Sequence, residues 1–378
     1  MPSAAPVSIR GTGAVCAAGH GVDALWRAVL LGAPLAELVT RYDAAALTTR
    51  RAALIPTPPR ASASHRAAAY AIDAIIEATR GDVPREAALF VGTSLGATDA
   101  WEPWHRAHSL GHALPPPRDT AHADTAYAVA DALSLRGPTV TVSTACTSSS
   151  AALVEAADAI RLGEIDEALV VGVDVLGPFA HAGFDRLGAL APDDRAPSPF
   201  GLGRRGMWLG EAAAAIHLSR DGTPIARFLG GGVGCDGVHM TAPDREGGGL
   251  SRAILAALRD ADLNPGDVAW VSAHATSTPF NDAMESAALT ATLGASVVAH
   301  GAKPVTGHTL GACGALEAIL AIEALRHGLR PPTRATAEVD PALAVTLDRE
   351  PAAMTGAVAL SLNSAMAGHN TAVLLGLP

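Results

Sequence analysis

The chain contains a single lysine, Lys303, five residues before a histidine in Lys303-Pro304-Val305-Thr306-Gly307-His308-Thr309-Leu310-Gly311. Lysine and arginine together number 27, so the other 26 basic residues are arginines. Arginine is a planar, permanently charged fork, whereas lysine is a compact point charge on a flexible stem. A surface position accepts either, so a chain this committed to arginine carries Lys303 where an ammonium is needed. A survivor of compositional bias is the ordinary alternative, and the neighbours argue against it. Gly311 and Gly314 open a helix that is apolar nearly all round, hence buried, and yet holds Glu317. An unpaired carboxylate there costs on the order of several kcal/mol, so Glu317 is expected to make a hydrogen bond or ion pair close by.

Cys146 stands at the end of a β-like run, 138–143, in Val142-Ser143-Thr144-Ala145-Cys146-Thr147-Ser148-Ser149-Ser150, and opens a helix of small residues closing near Gly163. The partial positive charge at a helix N-terminus favours thiolate over thiol. The free amides of the first turn can also stabilise a developing oxyanion. These features read as a nucleophile; a buried structural cysteine is the other reading. His274 likewise follows a β-like run, 268–273, and ligands bind at the carboxyl ends of strands in α/β sheets. Thr276 and Thr278 alternate along the next stretch, so both hydroxyls can face one channel and bond an amide-bearing ligand. A helix is expected from about Asn281, which makes Asp282 and Glu285 capping and first-turn residues. The loop Asn363-Ser364-Ala365-Met366-Ala367-Gly368-His369-Asn370 separates two terminal β-runs and can bring backbone amides near a reacting carbonyl.

These residues need a frame. Strands are expected over 7–14, 87–93, 138–143, 167–174, 211–218, 225–234, 268–273, 356–362 and 370–376. Helices are expected over 22–31, 63–79, 122–134, 146–162, 248–262, 281–293 and 311–327. The alternation indicates α/β layers, and continuous apolar runs such as 168–173 suit a sheet covered on both faces. The second half, from about 225, echoes the first, which suggests a duplicated fold divided as 1–222 and 223–378. The segment 101–112 (Trp101, Trp104, His105, His108, His112) reads as a surface or interface segment. His108 and His112, four apart, lack a carboxylate or cysteine in step for a metal site.

Composition narrows the function classes. Hydrophobic residues make up 49% and charged residues 17%, which describes a globular protein with much buried surface. A net charge of −10 without a basic stripe argues against nucleic acid as partner. The four cysteines, Cys16, Cys146, Cys235 and Cys313, are scattered and fit neither a zinc site nor a disulfide framework. No apolar run is long enough to span a bilayer, and residues 1–10 lack a signal-peptide profile, so a cytoplasmic location is expected.

Taken together, a cysteine after a strand, two histidines among small residues and a lysine five before the second histidine are specific. The chain resembles the β-ketoacyl-acyl-carrier-protein synthases of the thiolase-like superfamily over essentially its whole length. Arg10-Gly11-Thr12-Gly13, Pro199-Phe200, Arg204, Gly206, Gly210-Glu211 and Asn363-Ser364 contribute to the likeness. The resemblance implies a thiolase-like fold whose duplicated halves form an α-β-α-β-α stack. It implies Cys146 as the acyl-accepting nucleophile and His274 and His308 as the histidines of decarboxylation and condensation. Lys303 and Glu317 would be the supporting charged pair, and Thr276 and Thr278 the contacts to the pantetheine arm. The expected reaction is decarboxylative Claisen condensation of an acyl thioester with a malonyl group, without metal or other cofactor. The expected partners are an acyl carrier protein with phosphopantetheine-borne groups and an identical or homologous subunit.

Departures from the family pattern bear on specificity. His274-Ala275 replaces the usual His-Gly, the loop around Met366 lacks the usual phenylalanines, and Gly201 and Arg205 stand where acidic residues are common. Met366 would then act as a softer gate to the acyl pocket. Fatty-acid synthesis and a type II polyketide or polyene pathway both remain open. A non-catalytic chain-length-factor-like subunit is the main alternative, although such subunits typically lack the nucleophile. A thiolase would use a second cysteine near the C-terminus, and a cysteine hydrolase would leave Lys303 unexplained.

Overall fold

The amino-acid pattern that matters most for the architecture is a set of strands with small or β-branched residues on both faces. In the computed structural model, which describes residues 6–294 and 297–378, they assemble into one twelve-stranded sheet. Eleven of its strands form a single path: β1 Val7–Cys16, β2 Ala88–Gly92, β3 Thr139–Val142, β4 Glu167–Asp174, β5 Ala212–Ser219, β6 Ala226–Cys235, β7 Trp270–Ser272, β8 Val298–His300, β9 Thr346–Leu347, β10 Val358–Ser364 and β11 His369–Gly376. The order is β9-β8-β7-β10-β11-β6-β1-β5-β4-β2-β3.

That order is a repeat. Outward from the centre, the first half runs β1-β5-β4-β2-β3, with antiparallel pairing up to β4 and parallel pairing beyond it. The second half runs β6-β11-β10-β7-β8 with the same succession of antiparallel and parallel pairs, extended by β9. The halves meet where Val7–Ile9 of β1 pairs with Ala226–Phe228 of β6. The duplicated, thiolase-like α/β fold expected from the sequence is therefore the fold observed.

All seven expected helices are present, as α1 Val22–Leu31, α2 Arg66–Ala78, α4 His122–Leu133, α5 Ser148–Leu162, α7 Gly248–Ala261, α8 Pro279–Leu293 and α10 Cys313–His327. Three more, α3 Thr98–Ser109, α6 Pro178–Arg186 and α9 Lys303–Thr306, were not expected. Helix α3 carries Pro103 in its sixth position and buries only Thr98, so neither propensity nor an apolar stripe announces it. It ends at Ser109, which places His108 on the helix, stacked on Trp104, and His112 beyond it.

Helices α5 and α10 occupy equivalent places in the two halves and pack against each other between the half-sheets. Each is 15 residues long, follows a 3-10 turn and ends on a glycine with positive φ, Gly163 or Gly328. The residues opening the 3-10 turns, Ala145 and Leu310, match as well, with φ of 54° and 53°. Ser149 and Ser150 make this central layer tight: Ser149 Oγ accepts the Ala315 N–H at 2.9 Å, and Ser150 Oγ lies 2.6 Å from Thr371 Oγ1. A Cβ on Gly314 would come within 2.6 Å of the Ser150 backbone nitrogen. Gly314→Ala is therefore expected to lower stability by about 1–3 kcal/mol, as overpacking does. Gly266→Ala, in open space, serves as the neutral control. Denaturant midpoints of the two variants check this: equal midpoints would show that the helices separate freely.

Candidate functional site

The strands that carry the chemistry end on one side of the molecule, and the turns leaving them are strained. Among the described residues, nine other than glycine have positive φ, and six of them (Ala145, Phe200, Ala275, Ser277, Leu310, Ala367) lie in the turns gathered here. Such conformations persist only when the surroundings over-determine them. The turns enclose a cavity of about 620 Å³, lined by Cys146, His274, His308, Thr276, Thr278 and Met366 among others. The volume is that of a small-molecule site.

Cys146 sits in the 3-10 turn Ala145–Thr147, two residues ahead of α5, rather than at the first position of the helix. The expectation of a thiolate favoured by the helix terminus is overturned. Burial pushes the Cys146 thiol up to about 12; the Lys303 ammonium opposes this and nearby Asp174 and Glu317 add to it. The thiol is thus held neutral, 3.1 Å from His308 Nε2. His308 is itself buried, and burial together with Lys303 keeps its imidazole well below the usual histidine range. His274 is depressed for the same two reasons and by His308 in addition. The two rings stand edge to face, with centroids 5.2 Å apart.

Lys303 lies behind these rings, on α9, fully buried. Its Nζ is 2.5 Å from Glu317 Oε1 and 3.3 Å from His274 Nδ1. Burial works against the ammonium, but the Glu317 carboxylate and other neighbours outweigh it and hold the proton on. An ammonium has only donors. His274 Nδ1 is therefore an acceptor, and the single proton of this neutral ring resides on Nε2. Glu317 Oε2 accepts from Asn363 Nδ2 at 2.7 Å, which links the pair to the end of β10. Ligand atoms of His274, Cys313 and Glu317 lie within 4.8 Å of one another, and the Lys303 ammonium already contacts two of these residues as their cation.

Asp282 lies in the first turn of α8, as expected, but neither it nor Glu285 caps the helix, which begins two residues earlier than expected, at Pro279. Both are buried and bind backbone elsewhere. Glu285 accepts the N–H groups of His274 at 2.6 Å and Ala275 at 2.8 Å, and burial pushes its carboxyl up to about 8. Asp282 accepts from Phe200 N and Ser277 N and lies 3.8 Å from Arg204 Nε. These two carboxyl groups fix the strained turn that presents His274, Thr276 and Thr278. Thr276 and Thr278 hydroxyls lie 2.9 Å apart on the cavity wall. Met366 is half-buried at the cavity edge in the turn Met366–Gly368, and Ala367 N donates to Met240 O.

Two organising residues escape a sequence reading. Asp174, at the end of β4, accepts from Thr93 Oγ1, Ser94 N, Leu95 N and Gly311 N, so it joins the β2 turn to the 3-10 turn leading into α10. Its only sequence signal is a carboxylate closing the apolar run 168–173. His369 Nδ1 lies 2.8 Å from Thr147 Oγ1 and couples the Met366 loop to the turn that holds Cys146; no local pattern marks it.

Comparison with known proteins agrees with this geometry. Residues 59–223 match the β-ketoacyl synthase N-terminal domain and residues 225–337 its C-terminal domain. The chain is 30% identical to the chloroplastic 3-oxoacyl-[acyl-carrier-protein] synthase I of Arabidopsis thaliana, over 97% of this chain and 85% of the relative. Among solved structures, it superposes on the ishigamide ketosynthase/chain length factor with a TM-score of 0.91 at 29% identity, covering 99% of each chain. A β-ketoacyl synthase from Burkholderia phymatum gives 0.89 at 31% identity, again with 99% of each chain. The chain belongs to the β-ketoacyl synthase family, the condensing enzymes of the acyltransferase class.

Proposed function

We propose that the cavity performs a decarboxylative Claisen condensation in two half-reactions, with Cys146 as nucleophile. The observation that carries this reading is the Cys146 thiol 3.1 Å from His308 Nε2, beside a second neutral histidine. In the first half-reaction Cys146 Sγ attacks the carbonyl of a carrier-borne acyl thioester. The carrier thiolate leaves and takes up the proton lost by Cys146, and the acyl group stays on the enzyme. In the second, a malonyl thioester loses carbon dioxide and leaves an enolate. Its carbon attacks the acyl-enzyme carbonyl, and Cys146 departs as thiolate and is reprotonated.

The enolate carries its charge on the thioester oxygen. His274 Nε2–H and the neutral His308 ring are placed to donate to that oxygen, and removing one such donor in other enzymes costs roughly a hundredfold to a thousandfold in rate. Lys303 acts through His274, as a positioning residue. Thr276 and Thr278 would bond the amides of the pantetheine arm, and Met366 would edge the acyl pocket. The non-catalytic chain-length-factor reading is not favoured, because the nucleophile and both histidines share one cavity. The process served is fatty-acid or type II polyketide or polyene synthesis, at a cytoplasmic location. In support of the location, no helix among the described residues is long and apolar enough to cross a membrane.

The division at 222/223 into two thiolase-like halves belongs to the same reading and is supported by the repeated strand order. So does a dimer, with an identical or a homologous subunit. Its support is β3, the last strand of the sheet, which pairs on one side only and leaves its other edge of backbone groups for a partner.

Mass spectrometry after incubation with acyl-carriers is expected to show one acyl adduct, on Cys146, that malonyl-carrier discharges. Cys146→Ala is expected to fold and to give no adduct; persistent acylation of that variant overturns the assignment. Sedimentation at micromolar concentration is expected to show a dimer, alone or with a homologous subunit, and a stable, active monomer would refute the shared edge.

A further inference from the structure

Two arginines, Arg204 and Arg205, line the cavity, and they are in opposite situations. Arg204 is nearly buried and committed: Nη1 lies 2.7 Å from Asp340 Oδ2 and Nε 3.8 Å from Asp282 Oδ2. Arg205 is exposed at the mouth and has no ion-pair or hydrogen-bond partner among the described residues. Its backbone, however, is pinned on both sides. The ion pairs of Arg204 hold one neighbour. The other, Gly206, has φ of 123° and donates its N–H to Ser277 O at 2.9 Å. Ser277 lies between Thr276 and Thr278. An exposed side chain is thus mounted on a fixed turn, bonded directly to the segment that carries the two hydroxyls.

The one carboxylate lining the cavity among the described residues, Asp236, is engaged with Asn370 Nδ2 at 2.8 Å and with Asp244 N at 3.0 Å, and does not neutralise Arg205. An unpaired guanidinium at the mouth of a narrow site calls for an oxyanion, and its forked donors match phosphate oxygens. We propose that Arg205 binds the phosphate of the phosphopantetheine arm at the cavity mouth, upstream of the amide contacts at Thr276 and Thr278. This deepens the proposed function and rests on its reading of the cavity as a site for carrier-borne thioesters. The ligand is read along one line: phosphate at Arg205, amides at the threonines, thioester carbonyl at Cys146 and the histidines.

The test compares malonyl-phosphopantetheine with malonyl-pantetheine, which differ only in the phosphate, as extender for the acylated enzyme. The wild-type enzyme is expected to prefer the phosphorylated compound by roughly two- to fivefold in kcat/KM, chiefly through KM, as one charge-assisted contact at an exposed site provides. Arg205→Ala is expected to bring that ratio close to one, and Arg205→Lys to restore most of it. Arg205→Gln replaces the alanine variant should the latter melt early. A ratio unchanged in the alanine or glutamine variant of an active enzyme overturns the phosphate contact and leaves the condensing function standing. A loss seen only with the intact carrier protein also overturns it, because Arg205 would then contact the carrier's own surface. A wild-type enzyme that turns over neither compound nor malonyl-carrier overturns the condensing function and this contact with it.

Discussion

The structure depends on one buried cation. Lys303 and Glu317 form an ion pair closed to solvent, and from it contacts reach four separate elements. Lys303 comes from α9 and Glu317 is the fifth residue of α10. The ammonium also reaches His274 beyond β7, and the carboxylate reaches Asn363 of β10. A buried pair of this kind contributes little net stability, because desolvation offsets most of its attraction, but losing one partner leaves an uncompensated charge. Its value is positional. It sets the tautomer of His274 and adds positive potential where an enolate would form, without offering a proton acceptor of its own.

The same burial determines how Cys146 behaves. Taking Cys146 out of water suppresses the thiolate, even with Lys303 nearby. The two histidines stay neutral for the same reason. Each can donate one N–H without being an acid at neutral pH, which suits stabilisation of an oxyanion better than proton transfer. The strained turns at Ala145, Ala275 and Leu310 are held by the tight central layer and by Asp174 and Glu285.

Much of this was legible from the chain. Continuous apolar runs gave the strands, and residues after strands 139–142 and 270–272 proved to be Cys146 and His274 at one cavity. The lone lysine and the carboxylate in an apolar helix predicted a close polar contact for Glu317, and they meet at 2.5 Å. Other features were hidden because they depend on distant residues. Asp282 and Glu285 look like first-turn acids of a helix, yet their partners lie at Phe200, Ser277, His274 and Ala275. The thiol was misjudged because local sequence displays a helix start but not the water that folding removes. Helix α3 escaped because Pro103 and the burial of Thr98 alone leave it no periodic signal.

The most direct measurement is steady-state condensation by Lys303→Arg, run beside a thermal melt. Arginine preserves the charge but not the size of the group packed between Glu317 and His274. Displacing a catalytic group by about 1 Å can cost on the order of a hundredfold in rate. The account predicts a variant that folds normally and loses most of its condensing activity, with Lys303→Ala losing at least as much. Near-normal turnover by the arginine variant would contradict it, and the site would then rest on the cysteine and the histidines alone.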